Sequence, residues 1–248
     1  MSAVILALAA GAVIGLALGA LGGGGSVLAV PALIYLLGFT PVAATTASLV
    51  IVTITSVTAL SAHARDGNVR WRTGLLFAAA GIGPAMLGGA LADRIPEPVL
   101  TAAFGVVAAG AAVRMLRPAK ATGTGTHVRP GRAAAAGAGL GAVTGVLGVG
   151  GGFLAVPALV GVLGMRMRNA VGTSLLVITV NSLAALATRA GTVDTLDWAV
   201  VSPFVGAAIL GAWDGKRLAG KVSGPALQRI FAVVLLAVGG FMLIDAML

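Results

Sequence analysis

One stretch constrains this chain before any other. Leu21-Gly22-Gly23-Gly24-Gly25-Ser26-Val27-Leu28-Ala29-Val30-Pro31-Ala32-Leu33 sets four consecutive glycines inside an apolar run, and it returns 126 residues later as Leu147-Gly148-Val149-Gly150-Gly151-Gly152-Phe153-Leu154-Ala155-Val156-Pro157-Ala158-Leu159. Glycine costs a helix interior roughly 1 kcal/mol relative to alanine, so each run predicts a broken helix. Composition decides the surroundings of the break. The chain is 58% hydrophobic and 9% charged, with mean hydropathy +1.07, against about 25% charge in a soluble domain. Most of it must face lipid or other apolar helices. In hydrocarbon, unwound backbone is tolerated only where protein buries it or where it lines a watery cavity. Breaks at matched positions in two halves of an apolar chain are the sequence pointer to a transporter's binding site.

The remaining segments repeat on the same plan. Ala3–Leu21 predicts a first helix; with no basic stretch ahead of it and no clean cleavage site, it reads as a membrane segment and not as a signal peptide. After the break, Val27–Leu37 is a short apolar arm, about 16 Å as helix, or half a bilayer. Val42–Ala62, Thr73–Ala92 and Pro98–Met115 follow as spans. Arg117–Arg132, rich in Gly, Thr, Pro and basic residues, reads as a mobile linker in which His127 is solvated. Then Ala133–Leu147, the second break, the arm Phe153–Leu163, and spans Ala170–Thr188, Trp198–Trp213 and Pro225–Met247 restate the order. Ala44, Ser48, Leu49, Thr53 and Ser56 match Ala170, Ser174, Leu175, Thr179 and Ser182 at the same offset. The expected fold is all-α and polytopic: repeats over 1–116 and 133–248 around the linker 117–132, each a Gly-broken re-entrant hairpin plus three transmembrane helices.

Charge placement sets the relation between the repeats. If each broken region crossed the membrane once, the 16 Lys and Arg would divide almost evenly between the two sides. If each is a hairpin entering and leaving on one face, 14 fall inside and only Arg94 and Arg189 outside. Positive residues favour the cytoplasmic side, so the repeats are read as inverted, with both termini outside and the chain in a bacterial inner membrane. The Gly-rich tips then approach each other from opposite faces near the midplane. A net charge of +9 in so apolar a chain reads as this loop bias and not as nucleic-acid binding. No cysteine is present, which removes disulfides and thiolate chemistry.

At each tip a short helix begins. Its first N–H groups are unpaired and carry a partial positive charge of about +0.5, so two such ends form an anion site without lysine or arginine. The candidate ligand groups are Gly24, Gly25 and Ser26 at the first tip and Gly150, Gly151 and Gly152 at the second, with hydroxyls of Thr45, Ser48, Thr173 and Ser174 and the Asn181 amide nearby. The cargo is a small anion, and the lipid bilayer is the second partner. A coupling ion, proton or sodium, and a second copy of the chain are open as further partners. Bland readings stand beside these. Hydroxyls in membrane helices also bond the i−4 carbonyl. Gly81, Gly83, Gly88, Gly89, Gly206 and Gly211 read as helix-packing contacts. His63 reads as interfacial, Trp71, Trp198 and Trp213 as an aromatic belt, and Asp214 as a partner of Lys216 or Arg217. No nucleophile–base pair, metal cluster or cofactor motif accompanies the spans, so no enzyme, metal or cofactor is expected.

These residues resemble the sulfite exporter TauE/SafE family, grouped with the 4-toluene sulfonate uptake permeases. The resemblance lies in Gly22–Pro31 with Ala44–Leu49 and again in Gly148–Pro157 with Ala170–Leu175; the Gly67–Val69, Gly191–Val193, Pro98–Phe104 and Pro225–Phe231 segments fit as well. It implies a bacterial inner-membrane carrier for sulfite, sulfonates or other organic anions, exporting them by alternating access around the tips. The first half departs at Thr45-Thr46-Ala47-Ser48, where the second reads Val171-Gly172-Thr173-Ser174, so the site need not be symmetric. An anion channel on the same fold, or a non-transporting membrane subunit, are the alternative readings.

Overall fold

The computed structural model describes residues 2–92, 96–116, 129–146, 152–188 and 196–245. Among them are ten α-helices and no strand: α1 (Ser2–Leu21), α2 (Gly24–Pro31), α3 (Pro41–Arg65), α4 (Trp71–Ala92), α5 (Glu97–Leu116), α6 (Pro130–Val146), α7 (Gly152–Gly161), α8 (Met167–Thr188), α9 (Trp198–Lys221) and α10 (Gly224–Asp245). A π-helical turn, Ala32–Leu36, prolongs α2 directly after Pro31, whose missing N–H ends the regular α ladder. α6 opens at Pro130 and not at Ala133, because proline suits a helix's first turn. The rest of the expected linker, residues 117–128, lies outside the described residues. Thr40 caps α3 by accepting from the Ala43 N–H at 3.4 Å, and Asp197 caps α9 by accepting from the Ala199 N–H at 3.0 Å.

Polarity is distributed as a lipid environment requires. Large apolar side chains lie on the outside, with Leu87 and Leu210 each 68% exposed. Hydroxyls lie inside: Thr46, Ser48, Thr55, Ser56, Thr173, Ser174 and Ser182 are all buried. Five of the described helices, α1, α3, α8, α9 and α10, contain stretches long and apolar enough to cross a membrane. The tryptophans expected at the interface are half-exposed, and Trp71 and Trp198 each open a helix.

Close helix seams come from glycine. Along α1, Gly11, Gly15 and Gly19 meet the backbone of Phe204, Ala208 and Ala212 on α9; from the other side Gly211 and Gly215 meet Ala12 and Leu16. Spaced four apart on both helices, these contacts make α1 and α9 parallel neighbours at backbone distance. Gly137 and Gly141 of α6 meet Phe77 and Gly81 of α4 in the same manner. The packing expectation therefore holds for Gly81 and Gly211. It fails for Gly83 and Gly206, where an added Cβ would meet nothing within 4 Å.

The pairing is reciprocal. The first helix of each half (α1, α6) packs on the fourth helix of the other (α9, α4), α3 packs on α8, α5 on α10, and α2 on α7. Helices related by the sequence repeat run antiparallel: Ser56 of α3 faces Thr179 of α8, while Arg70, beyond the end of α3, reaches Thr173 near the start of α8. Gly105 of α5 lies against Gly239 of α10, while Gln228 near the start of α10 bonds the Met115 carbonyl at 2.6 Å.

The Ser56 and Thr179 hydroxyls lie 3.0 Å apart, and each also reaches a carbonyl of its own helix, Thr53 at 3.1 Å and Leu175 at 2.8 Å. A double-mutant cycle of Ser56→Ala and Thr179→Val, read from unfolding in detergent, should give a coupling of about 0.6 kcal/mol, the average for such bonds between membrane helices. Zero coupling would mean that each hydroxyl is served by its own helix.

Candidate functional site

Of the four glycines in the first run, two make the turn. α1 ends at Leu21; Gly22 takes φ 70, a conformation that glycine enters at little cost, and Gly23 is already helical at φ −56, ψ −21. Gly24 and Gly25 belong to the first turn of α2, with Ser26 behind them. This narrows the break expected over Gly22–Ser26. The physical reason is packing: α2 lies so close to α1 that a Cβ on Gly25 would stand 2.6 Å from the Ile14 carbonyl and from Leu18 Cβ. Gly24 and Gly25 occupy the first turn, where few intrahelical bonds exist to lose.

The second short helix is described from Gly152 and is buried over most of its length. Its Phe153 ring packs on Phe104, centroids 4.8 Å apart. Gly150 and Gly151 lie outside the described residues. The two helix starts meet: a Cβ on Gly23 would overlap the Gly152 carbonyl and stand 2.8 Å from Phe153 Cα. Beside them Gly22 lies against the Ser174 hydroxyl and 3.2 Å, measured from its own added Cβ, from the Val171 carbonyl of α8.

The other sequence candidates divide. Ser174 is at the break and donates to Val171 O at 2.8 Å, leaving its oxygen lone pairs toward Gly22. Thr173 is fully buried but serves the loop after α3, accepting from the Arg70 N–H at 3.0 Å. Thr45 and Ser48 lie on the first turns of α3, Ser48 buried and Thr45 half-buried, where α3 packs on α2. Asn181 stands seven residues beyond Ser174, about 10 Å along α8, so it is not at the break. Its Oδ1 is buried without a hydrogen-bond partner.

The basic end of the molecule carries a group whose surroundings the sequence does not show. His63, in the last turn of α3, is buried at 5% exposure, with Nε2 3.0 Å from the Gly19 carbonyl in the last turn of α1. Nothing local in the sequence signals this, because the cover comes from residues 44 positions away. His63 lines a cavity of about 60 Å³ together with Ala20, Asp66, Asn68, Arg168 and Lys216. Lys216 Nζ pairs with Asp66 at 2.8 Å, which leaves Asp214 to the exposed Arg217 at 3.5 Å. Arg168 donates to the Gly220 and Val222 carbonyls at the end of α9, and Arg114 donates to the Gly161 carbonyl at the end of α7. Cations thus sit at helix C-termini, where the peptide dipoles favour them. These contacts gather the ends of α3, α5, α7 and α9 and the starts of α8 and α10 at one end of the bundle. No group of three His, Cys, Asp or Glu suited to a metal ion occurs among the described residues.

A family model described as Sulfite exporter TauE/SafE matches residues 7–242. The chain belongs to the TauE/SafE family. Two relatives from Xylella fastidiosa, strain 9a5c and strain Temecula1 / ATCC 700964, each named "Probable membrane transporter protein", are 34% identical to the TauE/SafE chain over 249 and 246 residues. Each alignment covers 96% of this chain and 94% of the relative. No solved structure matches. The TauE/SafE chain is therefore a multi-pass membrane transporter, and Gly22, Gly23 and Gly152, where α2 and α7 meet, are buried within it.

Proposed function

We propose that this chain is a secondary transporter that exports small sulfur-containing anions, such as sulfite or organosulfonates, across the bacterial inner membrane by alternating access. Residues 1–116 and 133–248 are inverted repeats joined by a cytoplasmic linker, each with one re-entrant hairpin, α1–α2 and α6–α7. The termini face outward. The cargo binds at the N-terminal ends of α2 and α7, on backbone N–H groups of the Gly24–Ser26 and Gly150–Gly152 segments, assisted by Ser174.

The observation that carries this reading is the meeting of Gly23 with Gly152. Two helix N-terminal ends held together bring positive dipole ends into one buried place, which suits a small anion. The tips touch in the state described, so cargo enters as they part. Inversion is supported by the antiparallel course of the repeat-related pairs α3/α8 and α5/α10. Sidedness is supported by the gathering of cations at one end, which is cytoplasmic under the positive-inside rule.

Reconstituted into liposomes, the protein should move radiolabelled sulfite with saturation and should exchange it against unlabelled sulfite on the far side. Single-channel currents without such exchange would replace the carrier reading with a channel. No flux for sulfite, sulfonates or carboxylates would overturn it.

A further inference from the structure

One face of α9 is exposed along its whole length. Gly206, Leu210, Trp213, Arg217 and Lys221 follow one another at steps of three or four, which lines them on one side of the helix, and all five are exposed. The other side is spent on α1 and α3, with Ala208, Gly211, Ala212 and Gly215 buried there. The exposed face changes character as it runs. Leu210 is 68% exposed, and an added Cβ on Gly206 would meet nothing within 4 Å, so the first part is open and apolar. Trp213 follows, half-exposed, with the Arg217 guanidinium carbon 5.9 Å from its ring centroid, inside cation–π range. Lys221 ends the face and the helix.

Depth decides what this change of character meets. α9 is long and apolar enough to cross a membrane, and Trp198 opens it. Tryptophan favours the level where hydrocarbon gives way to headgroups. At 1.5 Å per residue Arg217 lies about 28 Å beyond Trp198, against a hydrocarbon core about 30 Å thick. With Trp198 at one edge of the core, Gly206 and Leu210 stay in hydrocarbon. Arg217 and Lys221 then emerge among the headgroups of the other leaflet.

Charge selects among those headgroups. Lys216 is turned toward the end of α3, where it pairs with Asp66 at 2.8 Å. Arg168 donates to the Gly220 and Val222 carbonyls and so answers the negative end of the helix dipole. Arg217 reaches Asp214 only at 3.5 Å, with the two side chains 72% and 69% exposed, and an ion pair of that kind holds weakly. Its guanidinium keeps further donors in a fork that fits a phosphate. Four cations thus stand against two carboxylates at this end of α9, and the excess falls on the outward pair, Arg217 and Lys221.

We propose that this face of α9 holds one anionic phospholipid. Its phosphate sits between Arg217 and Lys221, its glycerol lies against the Trp213 ring, and an acyl chain runs along Leu210 and Gly206. A soluble anion would have no use for the apolar part of the face. A zwitterionic lipid would bring its own ammonium group toward two cations. The proposal needs α9 to span a bilayer and does not depend on what the chain transports.

The test uses the full chain carrying Trp71→Phe and Trp198→Phe, so that Trp213 is the one tryptophan left. It is reconstituted in phosphatidylcholine vesicles doped with brominated phosphatidylglycerol or, at the same mole fraction, brominated phosphatidylcholine. One cation near an anionic surface is worth about a fivefold preference, so quenching of Trp213 should favour phosphatidylglycerol by about tenfold or more. Arg217→Gln and Lys221→Gln should each lower that preference about fivefold, and Asp214→Asn should raise it. Arg132→Gln removes the same charge from α6, which packs on α4 and α7, and should leave the preference unchanged. Equal quenching by the two lipids would overturn the proposal. So would a loss in Arg132→Gln as large as in Arg217→Gln, which reports general charge and no site. Abolition of the preference by inorganic phosphate, but not by chloride of equal ionic strength, would make this a soluble-anion site. Protection of Trp213 from both lipids would mean that a second copy of the chain covers the face. Should the double Trp→Phe background fail to fold, native mass spectrometry of the otherwise unaltered chain decides. Retained phosphatidylglycerol should then exceed phosphatidylcholine and fall away when Arg217→Gln and Lys221→Gln are combined; retention unchanged by that pair would sink the idea.

Discussion

Replacing Gly23 with valine should abolish sulfite flux, by about a hundredfold, the loss that a displacement of about 1 Å inflicts on a preorganised site. The new side chain would overlap the Gly152 carbonyl, which is backbone and cannot rotate aside. The tips are forced apart by the width of a methyl group, and their N–H donors no longer converge. The protein should still fold, because the α1–α9 and α4–α6 seams do not involve this contact. The control is Gly38→Ala. Gly38 shares the backbone conformation of Gly22, φ 70, but an added Cβ there meets nothing within 4 Å. It should lose roughly 1 kcal/mol of stability from the left-handed conformation alone and keep its flux. Equal flux in Gly23→Val and wild type, measured on matched amounts of folded protein, would remove the tips from the mechanism.

The second large effect is on stability, and its sign depends on position alone. Gly15→Ala places a methyl against the Ala208 backbone in the close α1–α9 seam and should cost about 1–3 kcal/mol. Gly206→Ala, on the very helix that Gly15 contacts, adds its methyl in open space and should stabilise by up to about 1 kcal/mol through helix propensity. Unfolding midpoints in detergent read both. Destabilisation by both variants alike would mean that glycine is needed along α9 for reasons other than contact with α1.

The contrast between Gly15 and Gly206 shows where the sequence can be read and where it cannot. The helical class, the short second arms and the hydroxyl-rich pair α3 and α8 all follow from composition and spacing within one segment. The fate of a given glycine does not. Gly22 turns the chain and Gly25 stays helical because Ile14 and Leu18 lie against α2, a fact of packing and not of local propensity. The steps of four in Gly11, Gly15 and Gly19 announce a seam without naming the partner, which is nearly 200 residues away. His63 is the same case at the site. Its place depends on where α1 ends, and no pattern around residue 63 encodes that. Thr173 reads as a ligand from its spacing to the break; that it also accepts from the Arg70 N–H, a contact set by the loop's conformation, is not legible from that spacing.

The exchanged docking of α1 onto α9 and of α6 onto α4 separates ancestry from mechanics. If a gene duplication wrote the boundary near residue 120, the packed pairs do not respect it. A swing of one duplicated copy against the other would have to shear the two glycine zippers, where there is no side chain to act as a lubricating layer. On the alternating-access proposal the mobile unit would be a chimera: a piece of each copy, locked to its adopted neighbour, turning as one rigid frame about the other.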